Sequence, residues 1–283
     1  MTIMRVIGFA VSPGPAAFAP LLFAGRLEEA VRMASDLGLS CLELNVRDPS
    51  TVSAPQVQAM LGPAGLVVSA IATGQACSAD GLCLAATDDA TRASAVERFT
   101  AQIALAAELG AKVILGGVRG RFDVSGVERQ GRRAAAVEAI HACADAAAAS
   151  GVQVVLEPIN RYETDFVQTA EEGLKLIDEI GSPALSLLLD CFHMNLEERD
   201  LAATVRSVGD RLGYMHLADS NRHAPGQGHI GFREIFEALD DVGYSGPLVA
   251  EILPLPDDAA AARLAADFLR RVSSNPSAIV KGT

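Results

Sequence analysis

Eight short apolar runs, each followed by a longer stretch with helical periodicity, limit what this chain can fold into. The runs are MRVIGFAV from Met4, CLELNV from Cys41, LVVSAIATG from Leu66, KVILGG from Lys112, VQVVLEP from Val152, ALSLLLD from Ala184, LGYMHLAD from Leu212 and PLVAEI from Pro247. Between them lie segments such as RLEEAVRMASDLG and ASAVERFTAQIALAAELG, where helix formers repeat at helical spacing. Gly38, Gly110, Gly151 and Gly243 stand where a helix would stop and a strand begin. Residues 134–149 hold ten alanines in 16 positions, with Glu138 and Asp145 among them. That composition reads as a packed helix rather than a low-complexity linker. Runs that are apolar throughout, not just at alternate positions, belong to strands covered on both faces. Eight strand–helix units without an early glycine-rich phosphate loop therefore predict one α/β domain, a single (β/α)8 TIM barrel, over residues 1–275. Residues 276–283 lose the pattern and are expected to fray.

Composition narrows the partners. The 283 residues include 35 acidic and 23 basic side chains, a net charge of −12, which argues against a phosphate-neutralising surface. There is no Trp and there are only 3 Tyr, so stacking platforms for bases are poorly supplied. Nucleic acid is not expected as a partner. No run approaches the roughly 18 apolar residues of a membrane span, and MTIMRVIGFAVSPG lacks the apolar core and cleavage site of a signal peptide. The five cysteines (Cys41, Cys77, Cys83, Cys143, Cys191) are odd in number and never spaced CxxC. They read as buried free thiols, not a disulfide framework or zinc site, and the expected location is cytoplasmic.

In such a barrel, chemistry sits where the strands end at the C-terminal mouth. Strand five ends in Glu157, strand six in Asp190, strand seven in His216 and strand eight in Glu251. A lone carboxylate after a strand is more often a helix cap, and a lone histidine on an apolar strand a satisfied core residue. Four at equivalent positions of consecutive strands point instead to one shared site. Three carboxylates gathered there repel unless a cation sits between them. The oxygen-rich set suits Mn²⁺, Mg²⁺ or Co²⁺ better than a thiolate-seeking metal. At other rims stand Glu43 after strand two, Gln75 after strand three, and Arg119 and Arg121 in GGVRGRFD after strand four. The two arginines are either solvated loop charges or contacts to an anionic substrate. His193, His216, His223 and His229 all fall within residues 193–229, whereas His141 stands alone in the alanine-rich helix and reads as structural. Gln75, Arg119, Arg121 and His229 are further candidate substrate contacts.

The phrases LEPINRYETDF, LLLDCFHMNLEE and HLADSNRHAPGQGH, with Glu251 on strand eight, resemble those of the ketose 3-epimerases. These form the D-tagatose and D-psicose 3-epimerase group of the xylose-isomerase-like barrel superfamily, and the resemblance covers nearly the whole chain. NVRDPS, IATGQACSADGL and VRGR in the first half resemble the subgroup that includes 5-keto-L-gluconate epimerase, which acts on keto-hexonates. The resemblance implies that Glu157, Asp190, His216 and Glu251 ligate one divalent metal ion, with Mn²⁺ preferred over Mg²⁺ or Co²⁺ and no organic cofactor. It also implies that Glu157 and Glu251 are the catalytic acid–base pair, and that Glu163, His193 and Arg222 touch the substrate's carbonyl and hydroxyl groups. A small-molecule sugar or keto sugar acid is the implied partner, and a homo-oligomer, dimer or tetramer, the implied state. Two departures concern the substrate. Relatives usually carry Asp after the GH of the strand-seven loop, where this chain reads His229, Ile230, Gly231. Some relatives also cover the substrate with an N-terminal aromatic residue, for which this chain offers Phe9 and Phe18.

Epimerisation beside a ketone removes a proton from one face of a carbon and returns one on the other. Two carboxylates facing each other across the substrate can do both. The enediolate formed between the steps needs charge stabilisation, which a divalent cation supplies. Aldose–ketose isomerisation and sugar-acid dehydration are alternatives on the same site. The abasic-site endonucleases of the superfamily need more ligands on early strands, where Glu43 is the main candidate, and a basic face that a net charge of −12 does not provide. A non-catalytic sugar-binding barrel is the remaining reading.

Overall fold

Each apolar run forms a strand: β1 Ile7–Val11, β2 Cys41–Asn45, β3 Val67–Ala72, β4 Lys112–Leu115, β5 Val154–Leu156, β6 Leu185–Asp190, β7 Leu212–His216 and β8 Leu248–Ala250. The computed structural model describes residues 5–17 and 19–274; Phe18 and the tail 276–283 lie outside them. The strands are parallel and close in chain order, with β1 pairing both β2 (Gly8 opposite Cys41) and β8 (Ile7 opposite Leu248). This is the single (β/α)8 barrel that the alternation of segments predicts.

Helices cover the outside: α1 Leu27–Asp36, α2 Ala54–Leu61, α3 Gly74–Asp80, α4 Asp89–Leu109, α5 Gly126–Ala149, α6 Ala170–Ile180, α7 Cys191–Glu197, α8 Leu201–Val208, α9 Phe232–Asp241 and α10 Asp258–Ser274. The alanine-rich stretch lies in α5, whose buried residues Ala136, Ala139, Ile140, Cys143, Ala144 and Ala147 recur at helical spacing. His141 lies on the exposed side of α5, paired with Asp145 at 3.1 Å. The glycines expected to stop helices do so. Gly110 takes φ 67° after α4 and donates its N–H to the carbonyls of Ala106 and Ala107, a left-handed cap that costs a residue without a Cβ little.

Two separate apolar clusters explain how the barrel presents polar groups. The larger fills the layer between strands and helices. The smaller contains Ala10, Cys41, Ala70, Ala72, Ile114, Val155, Leu188, Tyr214 and Val249, alternate strand residues that face the barrel axis. Stepping two residues along from Val155, Leu188, Tyr214 and Val249 reaches Glu157, Asp190, His216 and Glu251. Strand parity thus turns all four inward at the mouth. Gly8 belongs to the same inner layer, where a Cβ would fall 2.2 Å from the Cys41 carbonyl oxygen.

One expectation is overturned. Cys77 and Cys83 are joined in a disulfide, whereas Cys41, Cys143 and Cys191 are free and buried. No sequence spacing signals this bond. It exists because α3 ends at Gly81, in the left-handed conformation, and the chain folds back so that the two Cα atoms stand 4.6 Å apart, within the range a disulfide spans. With one pair oxidised, the cysteines no longer point to a reducing compartment. Among the described residues no helix is long and apolar enough to cross a membrane. In denaturant, a thiol reagent is expected to titrate the three free cysteines before reduction and all five after it. Five before reduction would refute the bond.

Candidate metal centre

Glu157 directly follows β5, Asp190 ends β6, His216 ends β7 and Glu251 directly follows β8. One ligand atom from each lies within 4.8 Å of all the others. The imidazole is the pivot. Its Nε2 is 2.8 Å from Oε2 of Glu43, itself fully buried in β2. A carboxylate accepts, so Nε2 carries a proton; Glu43 and Glu251 outweigh burial and lift the imidazole well above its ordinary range, so a cation at Nδ1 would take the place of a second proton and meet a lone pair there. Nδ1 faces Glu157 Oε1 at 3.4 Å, Glu251 Oε2 at 3.5 Å and Asp190 Oδ2 at 3.6 Å. Among the described residues, neither His216 Nδ1 nor Glu157 Oε1 has a hydrogen-bond partner, though both atoms are buried. Three anionic oxygens around an unpartnered lone pair repel one another; a divalent cation at their focus converts the repulsion into ligation. The residues fit one such ion, with donors suited to Mn²⁺, Mg²⁺ or Co²⁺.

Local structure sets each carboxylate. Asp190 caps α7, its Oδ1 accepting from the N–H of Phe192 at 2.7 Å and of His193 at 3.4 Å, which leaves Oδ2 for the centre. Gly116, after β4, leaves room for the Glu157 carboxylate: a Cβ there would fall 2.4 Å from Glu157 Oε2, so Glu157 would have to move. Arg222 closes the far side. Its guanidinium donates to Asp190 Oδ2 at 2.7 Å and to Glu251 Oε2, and lies 4.8 Å from the centroid of the Phe192 ring. Burial by itself would raise all three carboxylates. Arg222 nevertheless holds Asp190 well below its ordinary range, and the adjoining imidazole of His216 holds Glu157 down as well. Glu251 goes the other way: burial, with Glu157 and Asp190 close by, lifts it to about 8 against the pull of Arg222 and His216.

The remaining candidates divide. His193 is buried beside the centre, its Nε2 3.9 Å from Glu157 Oε1. Glu163 stands at the border of a cleft of about 510 Å³ that also meets the centre at Gly116 and is lined by Gly74, Gly120, Arg121 and Ile159. Arg119 is not a rim charge. It is fully buried, donating to the carbonyls of Leu115 (2.8 Å), Glu157 and Val167 (3.2 Å), so it pins the main chain beneath Glu157, and burial pushes its guanidinium down to about 10. Arg121 is half-exposed and paired with Asp123 at 2.6 Å. Gln75 reaches Ser12 Oγ at 3.5 Å, and His229 is exposed with Nδ1 2.9 Å from Ser220 Oγ; neither meets the four ligands. A larger groove of about 650 Å³ along α5 holds His141 and Arg133, but no buried polar groups converge there.

Strand ends misplace one supporting residue, Glu43, and miss another, Asp219. Glu43 stands on the inward parity of β2 as a support for His216, not as a rim group, and its signal was a carboxylate inside an apolar strand. Asp219, fully buried, accepts from the N–H groups of Ser220 (2.7 Å), Gly226 (2.8 Å) and Ile230 (3.1 Å). It gathers the loop that carries Arg222, whose φ of 61° is itself in the left-handed region.

The chain belongs to the xylose isomerase-like TIM barrel family, whose profile matches residues 31–272. It is 32% identical to L-ribulose 3-epimerase of Mesorhizobium japonicum over 230 residues, 80% of this chain and 75% of that protein. To D-psicose 3-epimerase of Enterocloster bolteae it is 42% identical over 124 residues, 44% of this chain and 41% of the relative, so the match spans about two fifths of that relative's length. Among solved structures, D-allulose 3-epimerase of Methylomonas sp. superposes with a TM-score of 0.80 at 26% identity, covering 96% of this chain and 99% of the other.

Two outcomes follow for metal binding. Glu43→Gln keeps the shape of the His216 support but removes its charge, and Mn²⁺ affinity by calorimetry is expected to weaken about 10–100-fold with the circular dichroism unchanged. Glu251 must release its proton to ligate, so Mn²⁺ binding should liberate protons and tighten as pH rises towards about 8. Affinity independent of pH below that value would contradict this.

Proposed function

We propose that this protein is a divalent-metal-dependent epimerase that inverts the carbon next to a ketone in a ketose or keto-hexonate. The observation that carries the reading is the convergence of Glu157 and Glu251 on one point from strands three apart around the mouth. One carboxylate removes the proton beside the carbonyl, and the other returns a proton on the opposite face. Glu157, Asp190, His216 and Glu251 would hold a divalent cation, Mn²⁺ the first choice, which would supply Lewis acidity to the reaction. Arg222 lends positive charge at the same edge, and His193 and Glu163 meet the substrate's carbonyl and hydroxyl oxygens. Protons stay with protein groups, so the reaction calls for no organic cofactor. Relatives named as sugar 3-epimerases over most or part of the chain support the reaction type.

A keto-hexonate of the 5-keto-L-gluconate kind is the finer reading of the substrate. The cleft leads from Glu163 to Arg121 and Arg132, and the Arg121–Asp123 pair is exposed on both sides. Such pairs contribute about 0–1 kcal/mol, so a substrate carboxylate can displace Asp123. Isomerisation or dehydration on the same residues is the competing reading.

A panel of ketoses and keto-hexonates with Mn²⁺ in deuterium oxide, read by NMR, decides between them. Epimerisation places deuterium at the inverted carbon; label on the neighbouring carbon or loss of water would establish the alternative. Glu157→Gln and Glu251→Gln are each expected to lower kcat about 10²–10⁴-fold, and chelation to remove turnover. In Arg121→Ala, the ratio of kcat/KM for keto-hexonate to that for a neutral ketose should fall; an unchanged ratio would reject the carboxylate contact.

A further inference from the structure

Asn160 lies in the loop after β5, 1% exposed, and none of the chemistry above uses it. Its side chain nevertheless touches two of the groups that face the substrate. Oδ1 accepts from the main-chain N–H of Tyr162 at 3.0 Å. Nδ2 lies 2.8 Å from Nδ1 of His193 and 2.8 Å from Oε1 of Glu163. A main-chain N–H can only donate, so the amide oxygen must sit on the Tyr162 side. The NH₂ end is therefore turned to the histidine and the glutamate, and its two hydrogens serve one each. Turning the amide over would set NH₂ against the Tyr162 N–H and leave the Glu163 carboxylate facing an oxygen.

This orientation determines the histidine. A ring nitrogen that accepts from Nδ2 carries no hydrogen, so His193 is the neutral tautomer with its proton on Nε2; both the other tautomer and the imidazolium would set an N–H against the amide's own hydrogens. Nε2 is the nitrogen on the metal-centre side, and at 3.9 Å from Glu157 Oε1 it is too far to donate there. A ligand oxygen entering between them meets a donor. Glu163, with Oε1 engaged, keeps Oε2 as an acceptor.

We propose that Asn160 is a positioning residue that sets the polarity of the substrate-facing rim, holding His193 as a hydrogen-bond donor through Nε2–H and Glu163 as an acceptor. One amide thereby gives the two side chains opposite hydrogen-bonding characters, matched to a ligand with a carbonyl oxygen beside a hydroxyl group. What the rim contacts rests on the epimerase reading; the tautomer of His193 does not.

The test begins with the whole, ligand-free protein. Long-range ¹H–¹⁵N correlation spectra of ¹⁵N-histidine-labelled protein, with the His193 signals assigned by loss in His193→Gln, are expected to show a protonated Nε2 and a bare Nδ1. A protonated Nδ1 overturns the proposal before any variant is made. Asn160→Asp has the same shape but only acceptors, and is expected to move the proton to Nδ1. With the substrate identified by the panel above, this variant should lose at least about tenfold in kcat/KM, chiefly in kcat, while Mn²⁺ affinity stays within about twofold. If His193 keeps its proton on Nε2 in Asn160→Asp, or if the variant turns over like the parent despite a switched tautomer, Asn160 does not set the polarity of the rim. If no sugar is turned over by the parent protein while the tautomer switches as expected, the epimerase reading fails and the control of His193 by Asn160 stands.

Discussion

Three carboxylates and an imidazole lone pair do not share a few ångströms of buried space unless something forces them together. Here the force is barrel closure. Each strand is committed by its apolar residues to one register, and in that register Glu157, Asp190, His216 and Glu251 continue the inward-facing rows begun by Val155, Leu188, Tyr214 and Val249. Burying this much like charge is unfavourable, and the energy of packing the rest of the barrel has to support it. A polar centre that the fold must be held around is also one already arranged for a cation, so that little reorganisation accompanies binding.

Positive charge placed at two depths manages the strain. Arg222, gathered with its loop by the buried Asp219, bridges Asp190 and Glu251 at the mouth. Arg119, one layer below, holds the main chain of Glu157 through its carbonyl. Neither arginine stands in for a cation between the carboxylates: among the described residues, His216 Nδ1 and Glu157 Oε1 have no hydrogen-bond partner. Behind His216, Glu43 decides which nitrogen points at the centre. Asn160 does the same for His193 from the other side. Two histidines of the same mouth are thus given opposite faces: one offers a lone pair to a metal, the other a proton to a ligand.

Some of this could be read from the chain alone because it depends on local pattern. Strand runs and glycine stops are short-range signals, and the order of four polar residues at four strand ends survives without coordinates. Other features are long-range and left no such mark. Arg119 and Arg121 are two residues apart in one loop, yet one is buried against carbonyls and the other half-exposed beside Asp123. Nothing in GGVRGRFD distinguishes them, since the difference lies in what β5 and its loop bring over Arg119. Likewise Cys77 and Cys83 show no recognised spacing, and only the turn at Gly81 brings them into contact.

By itself the sequence determined the barrel, the mouth at which polar groups collect and the identity of the four residues that converge there, because periodicity and strand-end position follow from backbone geometry that every residue shares. Tertiary structure alone decided which side chains stand behind those ligands. Glu43 meets His216 across 173 positions of sequence, and Asn160 meets His193 across 33. Hydrogen-bond partners at such separations are chosen by the closure of the sheet and the packing of its loops. They carry the information that ligand identity lacks: which nitrogen is bare, which carries the proton, and so what each can bind.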